Sequence, residues 1–203
     1  GTEKIDGSSI SIGVNSQYPN GFITSRNINK QIFVDKVIGR RNKKFFEKLL
    51  FWKQVDLNLY ETQLNNDSFV TNGYPHLQLL LLVSLKDIVL RGELNGKGNK
   101  GSGNINNPSL KDPSNIKFFG VDNVVNGVAE KLPYIDFLGT TNFFSAPPST
   151  LQFNRVAEVF NREFTSKEDL LAECNAYFKQ NMIEGIVVRT LDSKFSAKVM
   201  NLE

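Results

Sequence analysis

Along the chain, two periods of apolar and polar residues alternate, one of two residues and one of three to four. Ser9–Val14 and Phe22–Arg26 alternate like half-buried strands, and Pro19-Asn20-Gly21 between them supplies turn chemistry, which predicts a hairpin. From Arg41 to about Tyr60, apolar residues at 45, 46, 49, 50, 52, 55 and 59 recur at helical spacing. Asn65-Asn66-Asp67 and Thr71-Asn72-Gly73 mark loops, and Pro75 opens a second helix through Leu85. Asp87–Leu94 and Ile116–Val125 follow as strands, the second ending in an Asn126-Gly127 turn. Pro133–Leu138 and Gly139–Phe144 have the composition of short extended pieces. Thr165-Ser166-Lys167-Glu168 forms a capping box for a helix with the stripe Leu170, Leu171, Cys174, Tyr177 and Phe178. Ile183–Thr190 and Phe195–Met200 flank a turn and predict a terminal hairpin. There is no internal repeat, and the mixed order predicts an α+β fold with antiparallel sheets.

Composition narrows the picture. At 203 residues, 40% of them hydrophobic and 16 of them Phe, the chain can bury the core of a single domain, residues 1–203. The net charge of +3 suits a polyanionic partner without requiring one. The single cysteine, Cys174, excludes an internal disulfide and a Cys-rich zinc site, and points to an intracellular compartment. The single histidine, His76, cannot build a His-based metal site and is expected to cap or flank a helix. The longest apolar run, within Leu77–Leu85, is too short to cross a bilayer, and no signal-peptide pattern opens the chain. Lys4 stands almost at the start and Asn201-Leu202-Glu203 stops in or just after a strand, as in the middle portion of a longer protein.

Asn95–Asn115 is rich in Gly and Asn. A phosphate-cradling loop joins a strand to a helix, whereas this run leads to Pro108 and another strand, so it reads as a flexible loop and not a Walker-type site. The cluster Arg40-Arg41-Asn42-Lys43-Lys44 is either a solvated helix start or a contact for an RNA backbone.

Candidate chemistry begins at Thr2-Glu3-Lys4-Ile5-Asp6-Gly7, a lysine two residues before an Asp-Gly turn that enters a strand. Taken alone it is equally an exposed turn with a solvated lysine. Downstream stand Arg91-Gly92-Glu93-Leu94-Asn95-Gly96, Glu184-Gly185-Ile186-Val187-Val188-Arg189 and Ser196-Ala197-Lys198-Val199-Met200. In this order the blocks resemble the covalent nucleotidyltransferases, the polynucleotide ligases and mRNA capping enzymes, and among them the ATP-dependent RNA ligases. The resemblance spans the whole chain but rests on short blocks.

It implies the nucleotidyltransferase fold of ligases and capping enzymes, antiparallel sheets flanked by helices around a central ATP cleft. Any OB-fold or other RNA-binding module would lie outside the chain. It also implies a reaction, the joining of RNA 3′-hydroxyl and 5′-phosphate ends through a lysyl-AMP intermediate, with ATP and Mg²⁺ or Mn²⁺ as cofactors. By resemblance Lys4 is the nucleophile, Glu3 lies near the adenine, and Asp6 and Gly7 form the turn. Arg26, in Ser25-Arg26-Asn27, contacts the ribose or the phosphates, and Glu93 the ribose. Glu184 is the late glutamate at the metal, and Arg189 takes the phosphate-facing basic position. Asp6, Glu93 and Glu184 would hold a hydrated metal ion through its waters. An ordinary lysine, with a pKa of about 10.4, is protonated at neutral pH and cannot attack a phosphorus. The metal and Lys198 supply the cations that lower such a pKa, and Lys198 would also neutralise the α-phosphate as it becomes five-coordinate.

Two departures stand out. Val121 occupies the position where the family stacks an aromatic on the adenine, and Phe119, two residues earlier on the same strand face, is its alternative. The last block usually carries two lysines one residue apart, and here Lys198 has Ser196 and Met200 at that distance. The alternatives are therefore a DNA ligase or capping-type guanylyltransferase, or a non-catalytic nucleotide- or RNA-binding module on the same fold.

Overall fold

Strand alternation survives folding as two antiparallel sheets in a computed structural model that describes residues 1–25, 67–83, 87–99, 111–145 and 153–201. One sheet is built from β2 (Ser8–Val14), β3 (Phe22–Ser25), β4 (Ile88–Asn95), β5 (Asn115–Val125) and β6 (Val128–Lys131), in the order β3-β2-β4-β5-β6. The other is β1 (Thr2–Lys4), β7 (Gly185–Arg189) and β8 (Ser196–Met200), in the order β1-β7-β8. The described helices are α1 (Ser68–Leu82), α2 (Tyr134–Ser145) and α3 (Lys167–Phe178). The fold is α+β, and both expected hairpins, β2–β3 and β7–β8, are present. Among the described residues no helix is long and apolar enough to cross a membrane. The predicted helix over 41–60, the basic cluster at 40–44, Arg26 and most of the Gly/Asn-rich stretch lie outside the described residues.

The five-stranded sheet carries the main core. Ile10 and Ile12 of β2, Leu90 and Leu94 of β4, and Ile116 and Phe118 of β5 bury one face against Leu77 and Leu80 of α1 and Phe137 and Phe144 of α2. Their period-two spacing is what the pleat requires of a face in contact with helices. The three-stranded sheet has a smaller core, where Ile186 meets Cys174 of α3 and Phe160.

Several expectations are corrected. Pro75 does not open α1 but lies inside it, and Thr71–Gly73 are helical rather than loop. Asp67 caps the helix by accepting from the Phe69 amide at 2.9 Å, which outcompetes a start at the proline. Gly73 then packs tightly on β3, where an added Cβ would stand 3.1 Å from Ile23. His76 does not cap a helix end. It is buried in mid-helix, edge-on to Phe118 and Phe153 at ring separations of 4.8 and 4.7 Å, and burial depresses its pKa to about 4.

Residues 133–144, expected to be extended, are largely helical in α2. Tyr134, Phe137, Thr141 and Phe144 fall on one buried face, and the Thr141 hydroxyl donates to the Phe137 carbonyl, which removes the penalty of a buried polar group. α3 is capped by Ser166 on the Asp169 amide at 3.1 Å, one residue later than the predicted box, because Thr165 is bonded to the Asp169 carboxylate instead.

Lys4 is the last residue of β1 rather than part of a turn. So short a strand persists because it is paired on both sides. β7 is one partner, with Lys4 opposite Gly185, and an extended strap over 153–160 is the other, with the Glu3 amide donating to Ala157 at 2.9 Å. The same strap pairs with β5, where the Phe118 amide donates to Asn154 and the Val156 amide to Phe118, at 2.7 and 3.0 Å.

Candidate active site

The two sheets enclose a cleft of about 920 Å³. Lys4, at the end of β1, reaches into it, and its Nζ lies 2.5 Å from Glu184 Oε2. Glu184 arrives there because it immediately precedes Gly185, the residue paired with Lys4. Asp6 and Gly7 turn the chain from β1 into β2. Gly7 is required, since a Cβ there would stand 2.5 Å from the Leu94 carbonyl oxygen and 2.9 Å from Glu93 Cγ. The Asp-Gly turn therefore seats directly on β4, beside the glutamate expected at the ribose.

Glu93 projects from β4 into the same space. Burial pushes its pKa up to about 7; Lys4 and Lys198 oppose the rise, while Glu184 and Asp6 add to it. Four charged groups from three other segments thus lie within electrostatic reach of Glu93. Lys198 stands on β8 opposite Val187, exposed and on the cleft wall. Among the described residues no group of three or more His, Cys, Asp or Glu is arranged to ligate a metal directly.

Glu3 points differently. It alternates with Lys4 along β1, and its carboxylate accepts from the Tyr177 hydroxyl of α3 at 2.8 Å. That bond and burial together raise the Tyr177 pKa to about 12, burial contributing most. Arg189, on β7, donates from Nη1 to the Phe119 carbonyl at 2.6 Å and from Nη2 to the Thr2 hydroxyl at 3.3 Å. Burial lowers its pKa, and its Nε is enclosed without a partner.

The two candidates for the base separate at a β-bulge. Gly92 is opposite Phe118 and Arg91 opposite Gly120, so Phe119 is an extra residue on β5. Phe119 and Val121 therefore do not share a face as simple alternation required. Val121 stands opposite Leu90, is 1% exposed and packs in the core while also touching the cleft, whereas Phe119 is half-buried at the cleft.

Sequence reasoning missed a polar network on the cleft wall. Arg91 donates from Nε to Asp122 at 2.7 Å and from Nη1 to Ser11 at 2.8 Å, and its Nη2 pairs with the same carboxylate at 2.6 Å. Asp122 is 5% exposed, so the pair is shielded and holds β2, β4 and β5 in register. The only signal available was the placement of Arg91 and Asp122 beside the recognised blocks.

No protein-family model matches the chain, and no curated protein matches it in sequence. Solved structures do match in fold. A single-residue mutant of Naegleria gruberi RNA ligase with AMP and Mn has a TM-score of 0.59 at 16% identity, covering 98% of this chain and 48% of that one. A second mutant, with ATP and Mn, gives 0.58 at 17% over the same shares. The Naegleria gruberi RNA ligase with PPi gives 0.55 at 18%, again over 98% and 48%. This chain spans about half the length of the structures it matches. Its two antiparallel sheets and their flanking helices are the nucleotidyltransferase fold seen in RNA ligases.

Proposed function

We propose that this chain is the adenylyltransferase domain of an ATP-dependent RNA ligase, with Lys4 as the nucleophile. The observation that carries the proposal is the position of Lys4 in the cleft, paired with Glu184 at 2.5 Å and within electrostatic reach of Glu93. Lys4 Nζ bonds to the α-phosphorus of ATP while the bond from that phosphorus to pyrophosphate breaks, leaving AMP on the lysine. The ammonium first loses a proton, and the Glu184 carboxylate is within hydrogen-bonding reach to accept it. Lys198, two strands away on the same sheet, balances charge on the phosphate. Mg²⁺ or Mn²⁺, when bound, would neutralise the triphosphate. Carboxylates suit a hard cation, and Asp6 and Glu184, which act on Glu93 electrostatically, would hold it together with Glu93 through its water shell rather than by direct ligation. AMP then passes to an RNA 5′-phosphate, and a 3′-hydroxyl displaces it to close the phosphodiester. The single cysteine, buried and free, agrees with an intracellular setting.

The test is incubation with α-labelled ATP and Mg²⁺, followed by a denaturing gel. The parent chain is expected to carry label, and Lys4→Ala to lose it completely while keeping its circular dichroism spectrum. Label persisting on Lys4→Ala would move the nucleophile to another lysine. An unlabelled parent that still binds ATP would make the chain a nucleotide-binding module.

A further inference from the structure

We infer that Arg189 is a positioning residue for the nucleotide base: it holds the bulged Phe119 in place as the base wall of the cleft and does not contact phosphate. This rests on the nucleotide cleft proposed above, and three observations carry it.

The first is distance. Arg189 lies four residues along β7 from Gly185, the residue opposite Lys4, which is roughly 13 Å at the rise of an extended strand. With its guanidinium bonded at Thr2, two residues before Lys4 on β1, Arg189 stands toward one end of a nucleotide whose α-phosphate lies at Lys4.

The second observation decides which end. Two aromatic residues of the cleft lining adjoin Arg189, Phe119 through its carbonyl and Tyr134 through its ring, and such surfaces suit a flat base better than the outer phosphates. The guanidinium itself lies 5.8 Å from the centre of the Tyr134 ring.

The third is where the donors point. Nη1 and Nη2 are given to the Phe119 carbonyl and the Thr2 hydroxyl, and Nε is enclosed. The bulge creates the need for the first bond, because β4 pairs with Phe118 and Gly120 and passes over Phe119 between them. A carbonyl excluded from its ladder in a half-buried place requires another donor, and Arg189 supplies it at 2.6 Å. Without that bond the bulge is free to relax and the Phe119 ring loses its fixed place. The phosphate-facing role implied by resemblance is thus replaced by a role at the base.

Binding of adenosine, which carries no phosphate, tests this on the full chain by calorimetry, beside binding of inorganic tripolyphosphate with Mg²⁺. Arg189→Met, which keeps the stem and removes the donors, is expected to weaken adenosine binding by up to about tenfold, the scale of a lost aromatic stack, and to leave tripolyphosphate unchanged. Phe119→Ala should match it, and the double variant should lose no more than either single one. Arg189→Lys, a lone ammonium unable to make both bonds, should recover only part of the loss. Equal losses of adenosine and tripolyphosphate, or additive losses in the double variant, would overturn the assignment, as would a parent chain that binds no adenosine. A parent that binds adenosine with this mutant pattern but takes no covalent label from ATP would sink the ligase proposal and leave the assignment standing.

Discussion

The two walls of the cleft are built to different standards. Behind the five-stranded sheet stand fifteen buried core residues, among the described residues, with α1 and α2 packed on them. Behind the three-stranded sheet only Phe160, Cys174 and Ile186 are buried to that degree, and β8 exposes three of its five residues. Yet the lightly built sheet carries Lys4 and Lys198, with Glu184 leading into it, whereas the heavily built one contributes Glu93, Phe119 and the shielded Arg91–Asp122 pair. On the proposed function, Glu93 and Phe119, at the ribose and base, stand on the heavily packed wall, and Lys4 and Lys198, at the α-phosphate, on the wall with less packing to disturb. This division gives the small sheet the lower local stability, since opening free energy follows buried apolar contact.

Core truncation tests the comparison most severely. Phe118→Ala, under the large sheet, is expected to cost about 3–5 kcal/mol, and Ile186→Ala, under the small one, about 2 kcal/mol, both by urea denaturation. The reverse ranking would break the contrast between the walls.

Acid comes next. His76 stays neutral in the folded chain down to about pH 4, while the unfolded chain binds a proton near 6.5. The contribution is therefore complete above 6.5 and is lost as pH falls toward 4, by about 3 kcal/mol. Urea melts at pH 7.5 and 4.5 should register the loss, and His76→Leu should remove most of the pH dependence. An unchanged dependence in that variant would place the acid sensitivity outside the large core.

Glu93 acts in the opposite direction. Folding raises its pKa from 4.5 to about 7, so the folded chain is the better proton binder between those values. Its contribution to stability is full below 4.5 and is lost as pH rises through about 7. Glu93→Gln should therefore be more stable than the parent at pH 8 by about 1–2 kcal/mol, a figure reduced for residual solvent access, with no gain at pH 4.5. An equal gain at both pH values would mean that the carboxyl is not the source.

The smallest effect belongs to the sheet's edge. Asn126 and Gly127 both have positive φ, 53° and 80°, in the exposed β5–β6 turn. Asn126→Ala should cost about 1 kcal/mol without altering nucleotide binding. A larger loss would show that the edge hairpin supports the wall more than its exposure suggests.

Where the chain alternates strictly, its structure was legible in advance. β2, β4, β8 and the two hairpins follow from period-two runs bounded by turn residues, and the stripe of α3 from its helical spacing. α2 was not, because Gly139, Thr140 and Thr141 are poor helix formers and only contact with the core orders them. α1 was misjudged at its start because a proline is a strong local signal and a side-chain cap is a subtle one. At the site, the motif blocks indicated which residues converge: Lys4, Glu93 and Lys198 line one cleft, and Glu184 pairs with Lys4. The bulge at Phe119 leaves no local mark, so counting by twos across it put Phe119 and Val121 on one face, which the observed register does not. The Arg91–Asp122 pair depends on cross-strand register, which no single stretch of sequence contains.

The strap over 153–160 has a consequence for how such a chain can vary. Its Val156 amide bonds to β5 beside the bulge, and its Ala157 carbonyl, on the next residue, accepts from β1 beside Lys4. The β5 bulge and Lys4 are therefore spaced by a fixed count of peptide units. Main-chain bonds of this kind are indifferent to most substitutions, so the exposed positions between the buried Phe153, Val156 and Phe160 can drift in composition. Adding or deleting one residue between Asn154 and Val159 would instead shift one wall against the other by about 3.3 Å. The strap works as a spacer gauge, open to mutation at its exposed positions and closed to insertion, in a stretch that carries none of the recognised motifs.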